Sequence, residues 1–159
     1  MGVIAKLLAA VLLCAAFQAA AASAATQQIK VISVTISTVS HDVAPKGASK
    51  GDTIVYRDTL VNAAAQFGKK KGVEVGSDSG TMTFTGPHTA MFKGTAVLPG
   101  GTLTLSGAVY TTPAGLVVPV TGGTGAFAHV HGTLLVGSGA TSKRVPNTYR
   151  LIKPGGPVA

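Results

Sequence analysis

The chain has 159 residues, a length that allows one domain of ordinary size. Its formal net charge is +8, with 13 Lys and Arg against 5 Asp and Glu, and aromatic residues make up only 5% of the chain. The basic side chains are scattered except for Lys69 to Lys71, and Trp is absent, so nucleic-acid binding is disfavoured as the main function. A positive exterior also suits an anionic polymer of the cell envelope as a partner.

The first predicted element is a secretory signal peptide over residues 1–24. Lys6 precedes an apolar run over residues 7–21, which is too short to stay in a bilayer as a span, and Ala22-Ser23-Ala24 has the small-x-small pattern of a cleavage site. We therefore expect a secreted protein, either extracellular or associated with the envelope. Cleavage would remove Cys14, the single cysteine, and leave no thiol for a disulfide, a metal site or a nucleophile.

Residues 25–159 are predicted to form a single β domain with its core over residues 29–153. Thr, Val and Gly dominate, and short alternating runs are separated by glycine or proline, as is typical of consecutive strands. No helix is predicted. The spacing and the turns LPGG and TTPAG favour antiparallel pairing in a barrel or a sandwich of about eight strands. The candidate strands are Ile29 to Val39, Thr53 to Val61, Gly72 to Val75, Gly80 to Thr85, Ala90 to Leu98, Thr102 to Tyr110, Leu116 to Thr121, Gly132 to Gly137 and Thr148 to Ile152.

Alternation within the strands separates side chains that point inward from those that point outward. In DTIVYRDTL, the inward face carries one carboxylate, Asp58, among apolar neighbours. The expected inward side chains are Ile54, Tyr56, Asp58 and Leu60 on this strand, Met82 and Phe84 on GTMTFTG, and Leu103, Leu105, Gly107 and Val109 on TLTLSGAV.

The stretch VTGGTGAFAHVHG, residues 120–132, looks like the glycine turn of a dinucleotide-binding fold, but its context argues against nucleotide binding. Such a site needs a helix after the turn and an acidic residue about 20 positions downstream. Here glycines and β-branched residues discourage a helix, and Asp78 is the last acid of the chain. No Lys-Ser or Lys-Thr pair follows the glycines, so the stretch does not match a P-loop either. We interpret the stretch as a connection between two strands, with Phe127 packed inward.

Four segments, in the same order over residues 51–137, resemble dirigent proteins and allene oxide cyclases. VPVTGGTGAFAHVHG resembles the dirigent P-V-V-G-G-T-G-x-F segment, and GDTIVYRDTLVN resembles the second strand with its D-x-L element. VGSDSG is similar to the V-G-x-x-x-G turn, and LPGGTLTLSG to the G-x-L-x-x-x-G strand. The resemblance implies an all-β fold, an eight-stranded antiparallel barrel of the allene oxide cyclase and dirigent (calycin-like) type. It also implies a homotrimer and an apolar cavity for a small apolar or aromatic ligand.

The resemblance further implies which residues act in the cavity. Asp58 matches the acid of the dirigent D-x-L element, and His131 falls at the position of an arginine, while a second cavity carboxylate is not evident. In allene oxide cyclases an asparagine stands at the position of Asp58 and a cysteine near Met82, and a glutamate lies on the first strand. This chain keeps neither the cysteine nor the first-strand acid, so allene oxide cyclase activity is not expected.

Burial in an apolar pocket would raise the pKa of Asp58, which suits a general acid or base, and tyrosines could supply phenolic donors. The alternative for Asp58 is a structural pairing with Arg57 or a lysine. The candidate catalytic residues are Asp58, Tyr56 and His131, and the expected cavity lining is Ile54, Leu60, Met82, Phe84, Leu103, Leu105, Tyr110 and Phe127.

Two alternative functions are predicted for this barrel. In the first, its cavity guides the cyclisation, isomerisation or coupling of a small molecule. In the second, the protein is a non-enzymatic binding or envelope-associated module that uses its basic exterior. His129 and His131 share a face if their segment is a strand, but a third ligand is missing, so neither a metal site nor a cofactor is expected.

Overall fold

The computed structural model describes residues 24–112, 115–138 and 143–154, so nearly all of the predicted signal peptide lies outside the described residues. Eight antiparallel strands follow one another around a closed barrel, and the last pairs with the first. The expected all-β, eight-stranded antiparallel barrel is confirmed. Within the described residues, no helix is long and apolar enough to cross a membrane. The strands are β1 Ala25–His41, β2 Thr53–Asn62, β3 Glu74–Gly86, β4 Thr89–Leu98, β5 Gly101–Thr112, β6 Gly115–Gly123, β7 His131–Gly137 and β8 Arg144–Lys153.

The third strand differs from the sequence prediction. The two short strands predicted over residues 72–75 and 80–85 are wrong, because one unbroken strand, β3, covers Glu74–Gly86. VGSDSG, which we expected to form a turn, lies inside β3 and pairs with β2 on one side and with β4 on the other. The polar and glycine-rich composition of the segment suggested a turn. Pairing with β2 and β4 nevertheless supplies hydrogen-bond partners for its backbone N–H and C=O groups, so the segment is stable as a strand.

The glycine stretch between β6 and β7 is a strand connection, as expected. A single 3-10 turn, Gly125–Phe127, forms there, and Phe127 is only 2% exposed. Gly125 has a φ of +61°, and a Cβ atom at this position would lie 2.2 Å from the carbonyl oxygen of Gly100. Glycine is therefore required for the close approach of this turn to the β4–β5 turn.

The barrel interior is divided into a packed part and a part that contains a cavity. Near the β6–β7 connection, the inward side chains fill the interior, as alternation along each strand predicts. Toward the β1–β2 loop, polar side chains replace some of the apolar ones and space remains. The largest side chains of the packed core are Ile29, Leu60, Leu103, Leu105, Phe127, Leu134, Tyr149 and Leu151.

Candidate functional site

A cavity of about 230 Å³ lies inside the barrel, in the half nearer the β1–β2 loop. Its wall is mainly apolar, and within the described part of the chain no Lys, Arg or His lines it. The apolar lining is Ile54, Met82, Phe92, Leu116, Val118, Leu134, Val136 and Val145. The polar lining is Ser33, Thr35, Thr38, Tyr56, Asp58, Asp78 and Asn147.

Two carboxylates face each other in this wall. Asp58 on β2 and Asp78 on β3 are direct cross-strand partners, and both side chains line the cavity. They are 8% and 4% exposed, respectively. Cβ atoms of directly opposite residues in an antiparallel pair are about 4.5–5.5 Å apart, so two ionised carboxylates here would repel each other. Their arrangement is therefore electrostatically costly unless a proton or a ligand reduces the negative charge.

The hydrogen bonding of the pair is incomplete. The Thr35 hydroxyl donates a hydrogen bond to the Asp58 carboxylate. Oδ1 of Asp58 and Oδ1 of Asp78 are both buried and have no hydrogen-bond partner among the described residues. A buried acceptor without a partner costs about 1–3 kcal/mol, more when it is charged, so these two oxygens mark a place where a ligand or a proton would bind.

Burial raises the pKa of Asp78 to about 7, and the negative charge of Asp58 contributes to the same increase. Burial also raises the pKa of Asp58, while the hydrogen bond from Thr35 opposes that increase. Two close carboxylates titrate as a unit, because ionisation of one disfavours ionisation of the other. Near neutral pH the pair therefore holds one proton and offers both a general acid and a general base.

Two tyrosines lie close to the carboxylate pair. Tyr56 is the next inward residue before Asp58 on β2, and Tyr149 on β8 is fully buried, with a hydroxyl that has no partner among the described residues. Burial raises the pKa of both phenols above the ordinary value, and the charges of Asp78 and Asp58 raise them further. Both hydroxyls therefore stay protonated and can donate hydrogen bonds toward the pair or its ligand.

An amide completes the polar part of the wall. Nδ2 of Asn147 donates a hydrogen bond of 2.6 Å to Oγ of Ser33. Oδ1 of Asn147 is buried and has no partner among the described residues. The amide therefore adds another open acceptor to the wall.

A glycine shapes the aromatic side of the cavity. Gly80 pairs with Tyr56 on β2, and a Cβ atom on Gly80 would lie 2.9 Å from Cε1 of Tyr56 and 2.9 Å from Cζ of Phe92. The absence of a side chain lets both rings lie against the sheet, with centroids 6.0 Å apart and planes inclined by 34°. Two aromatic rings thus line the cavity together with the carboxylates.

The structure brings two of the three candidate catalytic residues together. Asp58 and Tyr56 line the cavity, and Asp58 points away from Arg57, which is exposed on the outer face. The expectation that His131 contacts a cavity ligand is wrong, because it is exposed on the outside of β7. His129, with a φ of +63°, precedes β7 and does not share a strand face with His131. Among the described residues, no three His, Cys, Asp or Glu side chains are grouped as metal ligands.

The predicted cavity lining is correct in part. Ile54 and Met82 line the cavity. Tyr110 does not, because Val109 is the inward residue at that point of β5 and Tyr110 is 64% exposed. The other predicted lining residues lie outside the cavity wall. Leu60, Leu103, Leu105 and Phe127 are buried in the core, and Phe84 is a partly buried side chain packed against it.

Only one cavity carboxylate, Asp58, was evident from the sequence, and the structure adds Asp78 as a second. The inward direction of Asp78 could nevertheless have been predicted from the alternation of inward and outward residues along this strand. Met82 and Phe84 were predicted to point inward, and counting back by two residues from Met82 gives Gly80 and then Asp78. The predicted turn at VGSDSG interrupted that count, so the carboxylate was assigned to a loop.

Solved structures with a similar barrel include three proteins of known activity. A pyocyanin demethylase is 25% identical, with a TM-score of 0.65 over 79% of this chain and 99% of that chain. A pterocarpan synthase dirigent protein is 16% identical, with a TM-score of 0.60 over 86% of this chain and 89% of that chain. A nonspecific heme-binding cyclase that catalyses a 4 + 2 cycloaddition during neoabyssomicin biosynthesis is 16% identical, with a TM-score of 0.60. The match to the cyclase covers 82% of this chain but only 64% of the cyclase.

The resemblance to dirigent-like barrels is thereby confirmed at the level of the fold. No protein-family model matches the sequence, and no curated protein matches it. Because one scaffold hosts many activities, the chemistry has to be argued from the cavity itself.

Proposed function

We propose that the protein binds a small apolar or aromatic molecule in the barrel cavity and isomerises, cyclises or couples it by moving a proton. The observation that carries this proposal is the pair of buried carboxylates, Asp58 and Asp78, facing each other in the wall of a mainly apolar cavity. A purely structural core has no use for two carboxylates in this position, since both are desolvated and they repel each other. Perturbed titratable groups that converge on a cavity are typical of a functional site.

The chemistry follows from the single proton that the pair holds near neutral pH. The ionised carboxylate takes a proton from a C–H bond next to a carbonyl group of the ligand, and the C–H electron pair becomes the new C=C bond. The C=O π pair moves onto oxygen, where the protonated carboxyl group donates a hydrogen bond. Return of the proton to a different atom gives an isomer, and attack by the new carbon nucleophile within the same ligand gives a ring.

The size of the cavity limits the ligand. A cavity of about 150 Å³ in another protein accommodates benzene. At about 230 Å³, this one suits a molecule with two fused rings. Tyr56 and Phe92 would contact the flat face of such a ligand, and this contact favours an aromatic molecule over a flexible chain.

The similar structures support a small organic ligand. The demethylase is named for its action on pyocyanin, the dirigent protein is named as a pterocarpan synthase, and the cyclase is described as catalysing a cycloaddition. The demethylase structure is matched along 99% of its length, so its barrel has the same extent as this one.

The exchange of protons at carbon tests the proposal without knowledge of the natural substrate. 2-Tetralone is a two-ring ketone with acidic C–H bonds beside its carbonyl group. In deuterated buffer, the protein should speed the incorporation of deuterium into 2-tetralone, measured by mass spectrometry. Asp58→Asn and Asp78→Asn should each reduce the enzymatic rate by at least about 100-fold, as expected when a general base is removed.

Asp42→Asn is the matched control, because it removes an exposed carboxylate outside the cavity and should leave the exchange rate unchanged. Ligand-observed NMR checks that 2-tetralone binds. Binding without exchange above the buffer rate would refute the proton-transfer role. Failure to bind 2-tetralone or any of a panel of two-ring aromatics would refute the proposed cavity function as a whole.

We also propose that the protein is exported after cleavage near Ala24 and that it assembles as a homotrimer. The apolar run and small-residue pattern before Ala25 support export. Exposed apolar side chains on the outer barrel face, among them Ile36, Val39 and Val55, support self-association. Native mass spectrometry of protein recovered from the culture medium would give the mature N-terminus, the subunit number and any bound small molecule together. A subunit of all 159 residues would contradict cleavage near Ala24, and a monomer would contradict the trimer.

A second candidate function is binding to an anionic polymer of the envelope. Lys69, Lys70 and Lys71 are all exposed on the β2–β3 loop, and this observation supports the idea. Retention on an anionic resin should then fall with salt and should weaken when the three lysines are changed to Gln. Equal retention of the variant and the parent protein at low salt would refute it.

A further inference from the structure

The polar groups of the cavity include two acids and several open acceptors. Asp58 and Asp78 are both acidic, and each has a buried Oδ1 atom without a partner among the described residues. Oδ1 of Asn147 adds a third open acceptor. The described lining contains no basic side chain that could neutralise them. The cavity therefore combines open hydrogen-bond acceptors with negative charge.

We propose that the ligand of this cavity is a planar aromatic cation with N–H donors, such as a protonated amino-substituted nitrogen heterocycle. This inference rests on the proposed function and names the class of its substrate. A cation between Asp58 and Asp78 would take the place of the proton that the pair shares and would attract both carboxylates. Its N–H groups would donate to the two unpaired oxygens.

The aromatic part of the wall fits the same ligand. The rings of Tyr56 and Phe92 are held beside the carboxylates because Gly80 leaves room for them. The face of an aromatic ring attracts a cation, and this attraction is larger when the cation is desolvated. An anionic aromatic acid of the same size would meet the same rings but would be repelled by the carboxylates.

A cationic ring also suits the proton transfer. A C–H bond on a carbon attached to a cationic heteroaromatic ring is acidified by that ring. Transfer of this proton to Asp58 or Asp78 leaves the electron pair in the ring system and gives a neutral enamine-type product. The step needs no oxidant or reductant, because one C–H bond breaks and one O–H bond forms.

The test compares three two-ring aromatic ligands of different charge by isothermal titration calorimetry. 4-Aminoquinoline is a planar cation at neutral pH, 1-aminonaphthalene is its neutral isostere, and 1-naphthoate is an anion. With the full mature protein, we expect 4-aminoquinoline to bind at least about tenfold more tightly than 1-aminonaphthalene and 1-naphthoate to bind most weakly. In Asp78→Asn and in Asp58→Asn, the preference for the cation should shrink by about tenfold or more, while Asp42→Asn should keep it.

The wild-type protein alone provides a second readout. The titratable groups that face Asp78 are Asp58 and Tyr56 on β2 and Tyr149 on β8. From about pH 6 to about pH 8, the pair loses its proton while 4-aminoquinoline remains a cation, so binding of the cation should tighten as the pH rises. Binding of 1-aminonaphthalene should not tighten over the same range.

The possible results separate the two proposals. Equal affinity for the cation and its neutral isostere, with no effect of pH, would overturn the charge preference and leave the proposed function intact. Preference for 1-naphthoate would also overturn it. If none of the three ligands binds, the cavity does not accept two-ring aromatics, and both proposals fail.

Discussion

Replacing Asp78 with Asn should change how the stability of the protein depends on pH. The pKa of Asp78 is about 7 in the folded state because of burial and the charge of Asp58, against an ordinary value of 3.8. The folded state therefore holds a proton that the unfolded state releases. Below the pKa that Asp78 has in the unfolded state, the carboxyl group is protonated in both states and destabilises the fold least. As the pH rises from that value toward the folded-state pKa, the free energy of unfolding falls.

The size of the effect follows from the two pKa values. Each pH unit between them lowers the free energy of unfolding by about 1.4 kcal/mol. From 3.8 to about 7, the wild-type protein thus loses on the order of 4 kcal/mol through Asp78. An amide has no such titration, and Nδ2 of the Asn would donate a hydrogen bond to the remaining carboxylate. Asp78→Asn should therefore be more stable than the wild type above neutral pH.

Urea denaturation followed by circular dichroism at a series of pH values measures this effect. The free energy of unfolding should decline with pH in the wild type and in Asp42→Asn, and it should be flatter in Asp78→Asn. If Asp78→Asn shows the same slope as the wild type, Asp78 does not hold a proton in the folded state. That result would refute the account of the carboxylate pair, whatever the variant does to ligand binding.

Three further substitutions test the packing of the barrel, each by urea denaturation. Gly125→Ala should lower the free energy of unfolding by more than about 1 kcal/mol, because the φ of Gly125 is +61° and the new Cβ would meet the Gly100 carbonyl oxygen. Gly122→Ala is the control and should lower it less, because the space around its Cβ is open. Phe127→Ala should cost about 3–5 kcal/mol, because it empties a buried site in the core. Asn62→Ala should cost about 1–3 kcal/mol, because Asn62 Nδ2 donates to three carbonyl oxygens of the β2–β3 loop, and equal stability would contradict that role.

The sequence was sufficient to predict the barrel because alternation is strong where one face of a strand is buried. Residues such as Leu103 and Leu105 repeat every second position, and the pattern places them inward without any knowledge of their partners. The connection around Phe127 was also predictable, since glycine-rich segments without a following helix join strands. These features depend on neighbours along the chain.

The site was less predictable because it depends on which strands lie side by side. Asp78 is 20 positions away from Asp58 in the sequence, and only the register between β2 and β3 makes them partners. A segment of Ser, Asp and Gly has low strand propensity, but its neighbours on both sides hold it in the sheet. His131 and Tyr110 show the converse error, because a motif or a residue type suggested a cavity role that the direction of the side chain excludes.

The central claim is that Asp58 and Asp78 form a buried pair that shares one proton near neutral pH. The chain has only four aspartates, so their side-chain carboxyl carbons can be followed individually by carbon-13 NMR through a pH titration. The account predicts that the signals of Asp58 and Asp78 move together and that one transition lies at a pH of about 7. If both carboxyl groups titrate independently near the ordinary value of 3.8, the cavity contains no proton-sharing pair, and the proposed chemistry is wrong.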